Sequence, residues 1–135
     1  MQLPSITSGY LAVLALLYAA LCLRVVRLRR KNQVGFGDGD NPELRNAIRA
    51  HAHFAEYVPI TALMVAMLEM SGLPALRVHL LMAALLVARL LHPLGMSATP
   101  PTRRFFFGRV SGMVLSVLVM MASAVLILLR LWRGS

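Results

Sequence analysis

Long apolar runs separated by short polar connectors dominate the chain. The first run extends from about Ile6 to Val26, and as a helix with a rise of about 1.5 Å per residue it crosses roughly 30 Å of hydrocarbon. Further apolar segments occupy about residues 42–70, 75–91 and 110–129. Because backbone groups in lipid must bond one another, we predict an all-α fold, an integral membrane four-helix bundle formed by a single domain over residues 1–135.

Boundary signals surround the second and third segments. Asn41-Pro42-Glu43 combines an N-cap residue, a proline at the first helical position and an acid in the first turn. Ser71-Gly72-Leu73-Pro74 ends that helix, and a connector rich in Pro, Ser and Thr is predicted from Pro93 to Thr102. The second helix would be roughly 45 Å long, so we expect it to cross the bilayer and project beyond it.

Composition supports a membrane protein over a soluble one. The 135 residues are 59% hydrophobic and 14% charged, which is far too apolar for an ordinary small soluble domain. The formal net charge of +9 alone could indicate a nucleic-acid partner. The cations lie at the ends of the apolar runs, however, so membrane topology and anionic lipid explain them better, and we expect membrane lipids and no nucleic acid as partners.

The basic residues predict an orientation. Eleven of the fourteen Lys and Arg gather at one end of the predicted bundle: Arg24, Arg27, Arg29, Arg30, Lys31, Arg45, Arg49, Arg89, Arg103, Arg104 and Arg109. Arg77, Arg130 and Arg133 lie at the other end. By the positive-inside rule the first group is cytoplasmic, so both termini are expected on the non-cytoplasmic side.

Ionisable residues interrupt the second apolar segment. At about 100° per residue, one stripe of this helix contains Arg45, Arg49, His53, Glu56 and Ile60, with Tyr57 beside it and His51 on the other flank. Charged groups within a membrane are expensive, which makes the stripe a functional-site hypothesis. It is suited to a zwitterionic ligand, but a structural ion pair between Arg49 and Glu56 explains it equally well.

A second polar constellation lies near the ends of the third and fourth segments. Arg89 and His92 share one helix face, and Arg103 and Arg104 follow two prolines at the start of the last segment. Arginines from three helices would therefore meet at one membrane level. Such a pocket attracts a small anion and favours a thiolate over a thiol. The alternative for Arg103 and Arg104 is that they only set the orientation of the protein in the membrane.

Metal sites are not predicted. His51 and His53 diverge by about 200° on a helix, and neither a zinc-protease motif nor a cysteine cluster accompanies them. The glycine-rich stretch from Val34 to Asp40 lacks the Walker lysine and the EF-hand pattern, so we interpret it as a connector.

These motifs together resemble the MAPEG family, the membrane-associated proteins in eicosanoid and glutathione metabolism. The matching residues are Arg49-Ala50-His51 with Glu56 and Pro59, the pair Arg89 and His92, and the two prolines before Arg103; the run from Gly37 to Leu44 is most similar to the small bacterial branch. The similarity to the bacterial branch implies a bacterial inner membrane. The resemblance to this family, which includes the microsomal glutathione transferases, implies a homotrimer. It also implies glutathione as co-substrate, held between protomers, and a lipophilic electrophile or peroxide as substrate.

The resemblance also implies residue roles. Arg103, with Arg104 as its close competitor, would be catalytic by stabilising the glutathione thiolate. Glutathione binding would fall to Arg49, His53, Glu56, Tyr57, Arg89 and His92. His53 replaces the asparagine usual in the family, and Met96 replaces a tyrosine whose phenol it cannot supply. A non-catalytic membrane scaffold or small-ligand-binding protein of the same fold is the alternative, and a transporter is disfavoured because the ionisable residues gather at one level.

Overall fold

Helices make up almost all of the computed structural model, which describes residues 3–96 and 105–134. It contains α1 (Ser5–Asn32), α2 (Pro42–Met70), α3 (Ala75–Met96), a π-helical segment (Phe105–Val110) and α4 (Ser111–Gly134). No strand occurs in these two ranges. The predicted all-α four-helix fold is confirmed.

Three helical stretches in the described part of the chain are long and apolar enough to cross a membrane. They are Ser5–Asn32, Ala75–Gly95 and Phe107–Arg133, and they make this an integral membrane protein. α2 is of similar length but is not one of them, and it carries five acidic and basic residues along its length. It packs against all three other helices, so the bundle encloses much of its surface.

The helix ends agree with the sequence pattern in some places and depart from it in others. The side chain of Asn41 accepts hydrogen bonds from the backbone nitrogens of Glu43 at 2.9 Å and Leu44 at 3.1 Å, as expected of an N-cap. α1 extends past the predicted span to Asn32, since arginine and lysine are good helix formers and are favoured near a helix C-terminus. The prediction of a connector beginning at Pro93 is wrong, because α3 continues through that proline to Met96.

One hydrophobic core runs along the bundle. Its buried residues come from all four helices and include Leu14, Leu21, Phe54, Val58, Val65, Val78, Met82, Leu85 and Val119. Ser116 and Ser123 on α4 are fully buried, and each hydroxyl donates to the backbone carbonyl four residues earlier at 2.8 Å. These small side chains are helix-packing positions.

Charged side chains connect the helices at the end of the bundle opposite most of the basic residues, which we call the distal end. Glu69 of α2 accepts hydrogen bonds from the backbone nitrogens of Ile6 at 2.8 Å and Thr7 at 2.9 Å. Arg130 of α4 donates to the carbonyls of Ser71 at 2.6 Å and Gly72 at 3.2 Å. The distal end is thus closed by side chains that cap neighbouring helices. We call the opposite end, where α1 ends and α2 begins, the basic end.

Candidate functional site

A buried arginine on α3 joins three helices toward the basic end. Arg89 is 1% exposed, and its Nη1 donates to the carbonyl of His53 at 3.1 Å. Its Nη2 donates to the carbonyl of Gly112 at 3.2 Å and to the hydroxyl of Ser116. Its Nε has no hydrogen-bond partner among the residues that the structure describes. The guanidinium therefore ties α3 to α2 and α4, and it is the centre of what we call the Arg89 cluster: Arg89, His53, Tyr57, His92, Gly112 and Ser116.

Two histidines meet beside this guanidinium. The Nδ1 of His53 lies 3.3 Å from the Nε2 of His92, and their ring centroids are 5.1 Å apart. His92 is 2% exposed, so its polar nitrogens depend on partners inside the protein. A hydrogen bond between two neutral imidazoles needs one ring to donate and the other to accept. The pair therefore fixes the orientation of His53 toward α3.

Tyr57 covers Arg89 from α2. The Cζ atom of Arg89 lies 5.7 Å from the centroid of the Tyr57 ring, within the range of a cation–π contact. No carboxylate pairs with Arg89, because the ion pairs within the described ranges join Arg45 to Asp38 and Asp40. The Arg89 cluster thus holds a buried positive charge balanced only by dipoles and an aromatic face, which favours an anion nearby.

Glycines allow α3 to approach both α4 and the π-helical segment closely here. A Cβ atom on Gly112 would lie 2.8 Å from the carbonyl oxygen of Ala88 and 3.0 Å from the backbone nitrogen of His92. A Cβ atom on Gly108 would lie 2.4 Å from the Cα of Gly95. Sequence reasoning missed the contact between Gly95 and Gly108, although the four-residue spacing of Gly108 and Gly112 is a signal for close helix packing.

The predicted polar stripe of α2 does not converge as a whole. Arg49 and Glu56 are exposed, and neither has a hydrogen-bond or ion-pair partner in the described part of the chain, so the structural ion pair between them is not formed. His53 lies about 40° from Arg49 and about 60° from Glu56 around the helix, enough to turn it inward alone.

Arg49 and Glu56 instead belong to an exposed face, which we call the outer stripe of α2. It comprises Arg45, Arg49, Glu56, Ile60, Leu63 and Met67. His51 lies on the other flank, as predicted, where its ring stacks on Tyr18 of α1 at 4.6 Å between centroids.

Several predicted site residues have no described geometry. Arg103 and Arg104 lie outside the described residues, and so does the side chain of Met96. Within residues 3–96 and 105–134, no group of three or more His, Cys, Asp or Glu is arranged to hold a metal ion. The buried charge of Arg89 beside the histidine pair would also oppose a cation there.

Comparison with known proteins decides the family. The model of the MAPEG family matches residues 7–129, a range that includes the whole Arg89 cluster. The chain belongs to the MAPEG family. The resemblance drawn from the helix motifs is thereby confirmed.

Two curated relatives share much of the chain. They are the inner membrane proteins YecN of Escherichia coli strain K12 and of E. coli O6:H1 strain CFT073. Each is 37% identical over 108 residues, covering 80% of this MAPEG protein and 79% of the relative. No solved structure matches the chain.

Proposed function

We propose that this MAPEG protein is a glutathione-dependent transferase or peroxidase-like enzyme of a bacterial inner membrane. The supporting observation is the buried charge of Arg89 on α3, which has no carboxylate partner among the described residues. The neighbouring helix α2 carries the exposed side chains of Arg49 and Glu56. Membership of the MAPEG family also supports the proposal, and the YecN relatives, which are inner membrane proteins, support its location.

Glutathione has the charges that this region would recognise. It carries two carboxylates, one ammonium group and a thiol, so Arg49 is suited to a carboxylate and Glu56 to the ammonium group. His53 and Tyr57 belong to the Arg89 cluster and lie beside the outer stripe on α2, so they would offer polar contacts to the peptide. Arg89 and His92 are buried, and their part in binding is to hold those two side chains in place and to supply positive potential.

The proposed chemistry is attack by the glutathione sulfur. The thiol gives its proton to water, and Arg103, or Arg104 beside it, stabilises the thiolate. Sulfur then forms a bond to an electrophilic carbon while the leaving group departs with its electron pair. With a peroxide, sulfur attacks one oxygen and the O–O bond breaks; the departing alkoxide takes up the proton that the thiol gave to water and leaves as an alcohol. A second glutathione then converts the sulfenic acid to the disulfide and water.

We further propose a homotrimer, with the basic end cytoplasmic and both termini on the opposite side. The outer stripe of α2 supports the assembly, since it exposes charged Arg49 and Glu56 together with Ile60, 47% exposed, and Leu63, 57% exposed. Charged side chains facing lipid are costly, so a second copy of the chain would cover this face and complete the site.

Ultraviolet absorbance of the bound thiolate tests the mechanism. Adding glutathione to the purified protein near neutral pH should produce thiolate absorbance, and Arg103→Ala should abolish it. Arg77→Ala removes an equal charge from the distal end and should leave the signal unchanged. Absence of a thiolate signal in the parent protein would contradict the proposed chemistry.

A non-catalytic membrane scaffold or small-ligand-binding protein of the same fold is the second proposal. It is favoured by the hydrogen bonds of Arg89, whose Nη1 and Nη2 donate to two backbone carbonyls and to Ser116 and so hold the helices together. Under this proposal Arg49→Ala or Glu56→Ala breaks the oligomer in detergent, as native mass spectrometry would show. Under the enzyme proposal the oligomer persists and the affinity for glutathione falls.

A further inference from the structure

A basic surface at the end of α1 takes no part in the Arg89 cluster. Five cations lie on its last turns: Arg24, Arg27, Arg29, Arg30 and Lys31. Arg29 donates to the carbonyl of Gly35 at 3.3 Å, whereas the other four have no hydrogen-bond or ion-pair partner among the described residues. A shallow pocket of about 320 Å³ adjoins them, lined by Val26, Arg29, Arg30, Gln33, Val34 and Gly35.

This pocket faces away from the bundle. Leu28, which is 8% exposed, marks the inner face of α1 through its packing with Leu44 and Ala47 of α2. Arg30 follows Leu28 by two residues, which is about 200° around the helix, and it is exposed. The guanidinium of Arg30 therefore lies on the outer surface, at the level where a membrane helix leaves the hydrocarbon.

Phe36 lies beside the pocket, and its side chain is 98% exposed. The loop that carries it is anchored on both sides. Before Phe36, Val34 packs against the cluster of Leu28, Leu44 and Ala47. After it, Asp38 pairs with Arg45, and the Asn41 side chain donates to that of Asn32 at 2.9 Å. The contacts on either side of Phe36 therefore hold an aromatic side chain outward, one residue after Gly35 in the pocket lining.

We propose that this surface binds an anionic glycerophospholipid from the leaflet at the basic end. The phosphate would lie in the pocket against Arg29 and Arg30, the acyl chains would extend along α1 past Val26, and Phe36 would insert between neighbouring headgroups. Arginine suits this partner because its planar fork can donate two hydrogen bonds to one phosphate. A basic face with an exposed aromatic residue is also the composition that favours anionic membrane surfaces.

Lipid selectivity in nanodiscs tests the proposal. The full-length protein is placed in an equimolar mixture of phosphatidylglycerol and phosphatidylethanolamine, and the lipids retained on it are counted by native mass spectrometry. The parent should retain phosphatidylglycerol preferentially. Because one basic residue at an anionic surface contributes about fivefold in affinity, Arg29→Ala with Arg30→Ala should lower this preference by about 30-fold.

A matched control removes the same charge from the distal end. Arg77→Ala with Arg133→Ala should leave the preference unchanged. The proposal is overturned if the parent shows no preference, or if the control variant lowers the preference as much as Arg29→Ala with Arg30→Ala does. Displacement of the lipid by millimolar inorganic phosphate would overturn it as well. Binding of a soluble polyanion at Arg29 and Arg30 without lipid enrichment would also overturn it.

A fluorescent probe gives a readout that does not depend on the arginine variants. Phe36→Trp in a Trp132→Phe background leaves a single tryptophan in the loop. Lipids brominated near the headgroup should quench its emission, more strongly when the brominated lipid is phosphatidylglycerol than when it is phosphatidylethanolamine. A tryptophan that emits as in water and resists quenching would contradict the proposal.

Discussion

The two ends of the bundle use charged side chains in opposite ways. At the distal end the carboxylate of Glu69 meets the N-terminus of α1, and the guanidinium of Arg130 meets the C-terminus of α2, so each charge lies against a helix end of complementary polarity. Toward the basic end Arg89 is buried among neutral acceptors and an aromatic ring, with no carboxylate from the described residues. The distal end is balanced, whereas the basic end keeps a positive charge that favours an anionic ligand.

Removing the buried cation should have the largest effect. Arg89→Ala leaves the carbonyls of His53 and Gly112 without their donor and opens a cavity, so the free energy of unfolding should fall by about 3 kcal/mol. Arg89→Met keeps most of the side-chain volume. The difference between the unfolding free energies of Arg89→Met and Arg89→Ala therefore measures the contribution of packing alone. Equilibrium unfolding followed by circular dichroism gives both values, and a loss below about 1 kcal/mol for Arg89→Ala would contradict the structural role.

The close approach of α3 and α4 should be the next most sensitive feature. Gly112→Ala would place a methyl group 2.8 Å from the carbonyl oxygen of Ala88, so the helices must separate at a cost of about 2 kcal/mol. Gly9→Ala is the matched control, because its new methyl meets nothing within 4 Å and helical alanine is favoured over glycine. Equal thermal stability of the two variants would show that the glycine contact does not hold the Arg89 cluster together.

A smaller effect is expected from the distal end. Glu69→Gln keeps the shape of the side chain but removes the negative charge at the start of α1, which should cost about 1 kcal/mol. Hydrogen exchange should accelerate at the amides of Ile6 and Thr7, whose donors contact Glu69. Glu56→Gln, on the outer stripe of α2, should leave these amides unchanged; if it accelerates them equally, the capping assignment is wrong.

The smallest effect concerns the loop at the basic end. Arg45 donates a hydrogen bond to Asp38, which holds the pKa of that carboxyl below its ordinary value of 3.8. The stabilisation is therefore complete above this value and is lost as the pH falls through the lower pKa of the folded protein. Asp38→Asn should flatten the acid limb of a plot of melting temperature against pH, and an unchanged limb would show that the pair contributes nothing.

Local signals made part of this architecture predictable. Hydropathy and length indicate the apolar helices, Asn41 and Pro42 mark the start of α2, and the three-residue spacing of Arg89 and His92 places them on one face. These features depend on neighbours along the chain. The orientation of individual side chains around α2 was harder to predict, because His53, which is turned inward, and Glu56, which is exposed, lie only about 60° apart around the helix.

Contacts between distant residues could not be predicted in the same way. The histidine pair joins positions 39 residues apart, and Glu69 reaches Thr7 across 62 residues. Each depends on how the helices pack, which periodicity does not specify. The π-helical segment at Phe105–Val110 and the backbone contact of Gly95 with Gly108 depend on the same packing.

Calorimetric titration of the purified protein with glutathione tests the central claim most directly. Saturable binding is expected, and Arg49→Ala should weaken it at least tenfold, about 1.4 kcal/mol, because an arginine–carboxylate contact is lost. Arg77→Ala at the distal end should bind like the parent. Absence of binding in the parent, or equal affinity for the parent and Arg49→Ala, would contradict a glutathione site at the basic end.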